Sequence, residues 1–268
     1  LNSHVYQRQI DPVDLQARNS DGHFNSGPVR RRMSAEQIVD SLFAVAGKEM
    51  SVEPLTLDIN GRGTVSTFLN LGIPRKSWEF TSLSNERDRP SLAIPRAQTI
   101  VDALQVFGWR DTRQDALSKR DEAPNVLQPS IVANGVVGRR ITQLSDDSAF
   151  TKMALQKQNP GALIENLYVR VLSRNPTNHE LWTMKNHIAP GYMDRIIRNA
   201  KPFVIQERVL DVSWNNHLSE EANRIKIEIE RLVLEGDQPT SKLNSDWRRR
   251  FEDVVYALIN SPEFIFVP

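Results

Sequence analysis

The sequence predicts a mainly α-helical protein, with a bundle-like body of several helices and a loop-rich insertion that holds short β elements. Three observations predict this class. Apolar residues recur at helical spacing in most segments outside the insertion. Favoured N-cap residues stand directly before several of those segments. Short alternating runs and turn signals are confined to residues 51–95, which we therefore assign to the insertion.

The first helix is predicted to begin after Ser34. Ser34 is a favoured N-cap residue, and Gln37 three residues later completes a capping box. Ile38 and Leu42 then follow at helical spacing, and Gly47 is a favourable residue for the end of the helix.

Helical spacing continues beyond the insertion. It predicts helices over residues 97–107, 129–144 and 220–235, and from Trp247 to Ile259. Gly135 and Gly138 lie inside the second of these helices, where a neighbouring backbone can pack closely. Pro262 is predicted to end the last helix, and the apolar residues 264–267 that follow are expected to dock on the body or to continue into a further domain.

An α-helical hairpin is predicted between residues 159 and 188. Asn159-Pro160 combines an N-cap residue with a proline at the first helical position, and Asn175-Pro176 is expected to end that helix. Thr177 and Glu180 form a second capping box, so the next helix begins almost at once. Such a short connection favours two antiparallel neighbours.

We predict an irregular arm over residues 1–33 and one mainly helical domain over residues 34–268, with a sub-boundary near residues 120–128 as the alternative. The 268 residues are 39% hydrophobic and 25% charged, a composition typical of a globular protein that buries a core. Since the chain begins without methionine, we expect it to be part of a longer protein.

Composition excludes several classes of function. The sequence has no cysteine, which excludes disulfides, thiolate metal sites and covalent haem attachment in this segment, and we predict no cofactor. His179 and His187 are about 12 Å apart along a helix axis, too far to share one metal ion, and no metal site is predicted. A net charge of +1 disfavours nucleic acid as a partner, and no run is apolar enough for a membrane span.

For every candidate catalytic residue in the sequence, a structural role is favoured over a catalytic one. Glu36 and Asp40 lie one helical turn apart and could act as an acid–base pair, but an arginine run directly upstream favours a structural network. The residues that we assign to a structural polar network are Arg31, Arg32, Glu36, Asp40, Asp111, Gln128 and Asn134.

Arginine and acidic residues are densest between residues 86 and 120. In one interpretation they interlock as a polar network that holds loops together. In the other, some arginines face a pocket for a carboxylate, sulfate or phosphate, because the guanidinium group binds such anions through two hydrogen bonds. The candidate ligand-binding residues are Arg87, Arg89, Arg113 and Arg120.

Five segments along the chain carry a resemblance to a known family. They are Arg31–Asp40, Phe107–Asp111 followed by Arg120, Leu127–Pro129 leading to Asn134, Leu167–Leu181, and Tyr256–Phe264. In this order they resemble the planctomycete-type domain of unknown function at the C-terminus of large exported proteins that begin with a cytochrome-c-like module. Residues 51–95 match poorly, and Gly108-Trp109 stands where the family has a pair like Asp-Pro. The resemblance implies a mostly helical domain without an established reaction.

We therefore predict a non-catalytic scaffold or recognition domain of a larger multi-domain protein. The resemblance implies an extracytoplasmic or periplasmic location, with upstream domains of the same polypeptide as partners and with carbohydrate or a redox module as further candidates. The alternatives are an enzyme, or a domain that contributes to an active site, acting on carbohydrate, and a docking module for an upstream haem domain.

Overall fold

The computed structural model describes residues 31–48, 51–54, 79–82, 94–95, 98–109, 125–201, 218–224, 227 and 237–267. Helices account for most of these residues, which confirms the mainly α-helical class. The helices are α1 (Ala35–Ala46), α2 (Gln98–Val106), α3 (Leu127–Asn134), α4 (Val136–Thr142), α5 (Ala149–Leu155), α6 (Pro160–Leu172), α7 (Asn178–Ile188), α8 (Ser245–Ile259) and α9 (Pro262–Ile265). None of the helices in these ranges is both long and apolar enough to cross a membrane.

Two small sheets accompany the helices. Strand β1 (Arg31–Arg32) pairs antiparallel with β5 (Phe266–Val267), so residues assigned to the irregular arm form a strand with the end of the chain. The second sheet has β3 (Glu79–Ser82) at its centre, parallel to β2 (Ser51–Pro54) and antiparallel to β4 (Ile94–Pro95). Its strands lie in the segment where the sequence predicts short β elements.

The ends of α1 are fixed by the residues that the sequence indicates. The Ser34 Oγ accepts a hydrogen bond from the Gln37 amide at 3.3 Å, and the Gln37 side chain accepts one from the Ser34 amide at 3.0 Å, which confirms the capping box. Gly47 ends the helix with φ 62°, a conformation that strains any residue with a Cβ. The Arg170 side chain of α6 donates to the Val45 carbonyl at 2.6 Å and so anchors this end to the body.

Residues 129–144 are largely helical as predicted, but they form two helices separated at Gly135 and not one. Gly135 has φ −73° and ψ 161°, which is extended backbone. The resulting bend brings Gly138 against α3, where a Cβ on Gly138 would lie 1.7 Å from the Val132 carbonyl oxygen. Apolar periodicity alone does not report this bend, since it continues through both helices.

Replacing Gly138 by alanine is expected to cost about 1–3 kcal/mol of stability, because the added methyl group must displace backbone. Urea denaturation of the variant measures this loss. Gly161→Ala is the matched control, since a Cβ there meets only the Asn159 side chain, at 3.1 Å, and its stability should stay within about 1 kcal/mol of wild type. Wild-type stability in Gly138→Ala would contradict the close approach.

The α-helical hairpin is confirmed, with one corrected boundary. The Asn159 side chain accepts a hydrogen bond from the Ala162 amide at 2.7 Å and caps α6. The helix ends at Leu172, because Ser173 adopts φ 56°, so it stops before the predicted Asn175-Pro176. Thr177 then caps α7.

The structure adds two helices that the sequence patterns did not indicate. Ser148 caps α5 by accepting a hydrogen bond from the Phe150 amide at 3.2 Å. Pro262 begins the short helix α9 and does not end α8, which stops at Ile259. Phe264 in α9 is buried and Ile265 packs against the core, whereas Phe266 is 40% exposed, so the predicted docking is confirmed for the first two residues of the apolar tail. Of the helix predicted over 220–235, the described part confirms helix at 220–224, and the rest lies outside the described residues except 227.

The core is formed where α8 packs against the helical hairpin and α4. All six residues of the predicted apolar stripe on α8 are buried. They are Trp247, Phe251, Val254, Val255, Leu258 and Ile259. The Trp247 ring stacks on Phe251 with 5.3 Å between ring centroids, and its Nε1 donates to the Ile188 carbonyl at 2.8 Å. The same helix thereby carries core residues on one face and charged residues on the other.

Candidate functional site

A buried charge cluster joins α1, α4 and residue 237. The Lys48 Nζ lies 3.0 Å from Asp237 Oδ2, and the Arg140 Nη1 lies 2.6 Å from Asp237 Oδ1. The Lys48 side chain is fully buried, and its Nζ also donates to the carbonyls of Arg140 at 2.6 Å and of Gln143 at 3.2 Å. Lys48, Arg140 and Asp237 are called the buried charge cluster below.

Burial and ion pairing shift the pKa values of the two cations of this cluster in opposite directions. Burial lowers the pKa of Lys48 and of Arg140, and this is the larger effect, whereas the nearby Asp237 carboxylate raises both pKa values. Both carboxylate oxygens of Asp237 are engaged by these cations. The cluster therefore serves to hold three separate segments together.

A polar cleft of about 510 Å³ lies beside the buried charge cluster. It is lined by the last turn of α4, by residues 237–239 and by the first turns of α8. On its α8 wall, the Arg248 Nε lies 3.4 Å from Glu252 Oε1, and the Arg248 Nη1 donates to the Thr240 carbonyl at 3.0 Å. Glu252 Oε1 also accepts a hydrogen bond from the Leu144 amide at 2.9 Å, and burial raises the pKa of Glu252.

A second ion-pair network lies where the helical hairpin meets α9. Arg174 donates from Nη1 and Nη2 to the two oxygens of Glu180, at 2.9 and 2.8 Å. Its Nε and Nη2 also donate to Glu263 Oε2, at 3.0 and 2.8 Å, and its guanidinium lies 5.4 Å from the centre of the Tyr168 ring. Because these hydrogen bonds favour the charged forms, the pKa of Arg174 is raised and that of Glu180 is lowered to about 2.

The lowered pKa of Glu180 predicts a loss of stability in acid. Since this pKa is below the ordinary value of 4.5, ionised Glu180 stabilises the fold above pH 4.5, and this contribution disappears as the pH falls towards 2. Glu180→Gln is expected to cost about 1 kcal/mol at neutral pH, since the pair is partly solvated, and to weaken the acid dependence. Urea denaturation at several pH values measures both effects. The exposed Glu165→Gln is the control, and an identical acid profile in both variants would contradict the assignment.

Arg195 forms a third structural node that the sequence analysis missed. Its side chain is buried and donates to the carbonyls of Ala154 at 2.8 Å, Gln156 at 2.7 Å and Tyr192 at 2.9 Å. The guanidinium also lies 4.0 Å from the centre of the Tyr192 ring. This arrangement fixes the end of α5 to the segment that follows α7.

The candidate ligand-binding arginines are not placed by the structure. Arg87, Arg89, Arg113 and Arg120 lie outside the described residues, and so does Asp111 of the polar network. Their assignment stays a prediction.

The remaining residues of the predicted polar network lie at two places. Arg31 and Arg32 form β1, and the Arg31 Nη1 lies 3.4 Å from Gln37 Oε1. Glu36 is only 4% exposed on the first turn of α1, and Asp40 is half-buried one turn later.

Gln128 and Asn134 lie at opposite ends of α3. The Gln128 Nε2 donates to the Val106 carbonyl at 3.2 Å, which joins α3 to the end of α2. Asn134 is the exposed last residue of the helix. That these residues and those near β1 form one network stays a prediction.

The fold and these three polar nodes define a mainly helical domain whose charged side chains join segments distant in sequence. Residues 1–188 match the family PSD1, protein of unknown function (DUF1553). The chain therefore belongs to this family. The comparisons with curated proteins and with solved structures give no match.

Proposed function

We propose that the chain is a non-catalytic scaffold or recognition domain of a larger, extracytoplasmic multi-domain protein. Membership of a family of unknown function is consistent with the absence of an established activity. The proposed partners are upstream domains of the same polypeptide, and carbohydrate or a redox module are further candidates.

The Arg174 network is the observation that carries this proposal. Arg174 and Glu180 belong to the hairpin segment that resembles the family pattern, and Glu263 belongs to its terminal segment. The three side chains bind one another, with distances of 2.8 to 3.0 Å between Arg174 and the two carboxylates. Residues that carry the resemblance thus stabilise the packing of α6, α7 and α9, and this structural role accounts for them without a catalytic one.

Glu36 of the candidate acid–base pair and Asp237 of the buried charge cluster are placed poorly for acid–base chemistry on a bulky substrate. Glu36 is 4% exposed, which restricts the approach of a sugar chain to its carboxyl group. Both carboxylate oxygens of Asp237 are already held by Lys48 and Arg140. These two observations support the non-catalytic role.

A turnover assay on the whole chain tests the proposal. The purified chain is incubated with a panel of neutral and acidic polysaccharides, and new reducing ends are measured. The expected result is no release above buffer. Turnover that is lost in Glu36→Gln or Asp40→Asn, at an unchanged melting temperature, would overturn the proposal in favour of an enzyme.

The multi-domain part of the proposal is tested separately. The complete gene is read for an export signal and for a C-x-x-C-H haem-attachment motif upstream of this segment. The upstream region is then expressed alone and titrated with the chain, and saturable binding is expected. A gene that encodes no further domain would overturn the proposed scaffold role.

A further inference from the structure

We infer that the polar cleft between α4 and α8 binds a small anionic ligand through Arg248 and Arg249, with a carboxylate, sulfate or phosphate as the recognised group. This inference goes beyond the scaffold role and does not depend on it. The site differs from the arginines between residues 86 and 120 that the sequence indicates.

The geometry of α8 directs two consecutive arginines to the cleft. Arg248, Arg249 and Glu252 all line it, and residues three and four apart share one face of a helix. Arg250 does not line the cleft, because each further residue turns the helix by about 100°. Arg248 and Arg249 therefore form the proposed binding pair, and the neighbouring Arg250 serves as a control.

The electrostatic balance of the cleft favours an anion. Both carboxylates in its wall already have partners, Asp237 in the buried charge cluster and Glu252 in its ion pair with Arg248 and its hydrogen bond from the Leu144 amide. Arg249 is exposed and makes no hydrogen bond or ion pair with the residues that the structure describes. Arg139 lines the opposite wall, so guanidinium groups stand on both sides of the cleft.

Arg248 is held in place before any ligand arrives. Its Nε contacts Glu252 and its Nη1 donates to the Thr240 carbonyl. A guanidinium that is already fixed loses little conformational entropy when it binds an anion, so the arrangement favours affinity. Guanidinium groups bind oxyanions through paired, charge-assisted hydrogen bonds, which defines the chemical class of the ligand.

The cleft has room for more than a free inorganic ion. Its volume of about 510 Å³ lies within the range of pockets for small organic molecules. The walls are polar, which suits a hydroxylated ligand such as a sugar acid. A uronic acid combines such a body with a carboxylate, and we take it as the representative organic probe.

Calorimetric titration of the whole chain with sodium glucuronate, sodium sulfate and sodium phosphate tests the inference, with sodium chloride added to equal ionic strength. Saturable binding of at least one probe is expected. Arg249→Gln should weaken it about tenfold, while Arg250→Gln should leave it within about twofold. Glu252→Gln should tighten binding severalfold, because it removes a negative charge from the wall.

Each outcome supports or overturns the proposed anion site. Weaker anion binding in Arg249→Gln but not in Arg250→Gln supports the site. Tighter binding of glucuronate than of sulfate or phosphate identifies a carboxylated sugar as the source of the anion. The reverse preference identifies a sulfated or phosphorylated ligand. Equal losses in Arg249→Gln and Arg250→Gln would show unspecific attraction to the helix surface and overturn the inference. So would the absence of binding of all three probes at about 10 mM.

Discussion

Replacing Asp237 by alanine is expected to destabilise the fold by about 3 kcal/mol, because it leaves two buried cations without their counter-ion. The side chains of Lys48 and Arg140 are 0% and 4% exposed, so water cannot replace the carboxylate at either group. Urea denaturation at neutral pH measures the change in the free energy of unfolding. The loss should exceed that of an ordinary surface ion pair several times over.

Lys48→Met provides the matched comparison for this prediction. It removes one buried cation and leaves Asp237 paired with Arg140, so its cost should be clearly smaller than that of Asp237→Ala. In the double variant the two losses should not add, since the removal of Lys48 relieves part of the uncompensated charge. Additive losses, or wild-type stability in Asp237→Ala, would contradict the coupling of these side chains.

Replacing Trp247 by alanine is expected to cost about 4 kcal/mol. The Trp247 side chain is 1% exposed, stacks on Phe251 and lies 5.7 Å from the Arg195 guanidinium. Its removal leaves a large cavity and leaves the Ile188 carbonyl without its indole donor. Thermal and urea denaturation measure the loss.

Two further variants separate packing from hydrogen bonding at this position. Trp247→Phe keeps an aromatic ring against Phe251 but removes the donor to Ile188, so a loss of about 1–3 kcal/mol is expected. Tyr256→Ala on the same helix is the control, because Tyr256 is 40% exposed and its loss should stay within about 0.5 kcal/mol. A Trp247→Ala variant as stable as this control would show that the α8 stripe does not form the core.

Local chemistry predicted the beginnings of helices well. The side chains of Ser34, Asn159 and Thr177 each cap a helix by accepting a hydrogen bond from an amide three residues later. A short stretch of sequence is therefore enough to predict this role. The stripe on α8 is equally local, since a helical period of 3.6 residues places its members on one face. The ends and interruptions of helices were predicted less well, because the apolar spacing does not indicate the left-handed backbone of Ser173 or the extended backbone of Gly135.

The charged nodes could not be predicted for a related reason. Lys48 and Asp237 are separated by 189 positions, and nothing in the residues around either indicates that the other will be its partner. Arg195 binds backbone carbonyls, which every residue possesses, so no sequence motif marks its targets. Arg248 and Arg249 read as a solvated helix face, and only the position of α4 opposite them creates a cleft.

The pairing of β1 with β5 has a consequence for any protein that contains this domain. The Met33 amide donates to the Ile265 carbonyl at 2.9 Å, and Arg31 lies opposite Val267. Residues 31–32 and 266–267 therefore lie side by side at one edge of the helical body. The chain that continues before residue 31 and after residue 267 starts from adjacent points of the body, and not from its opposite ends.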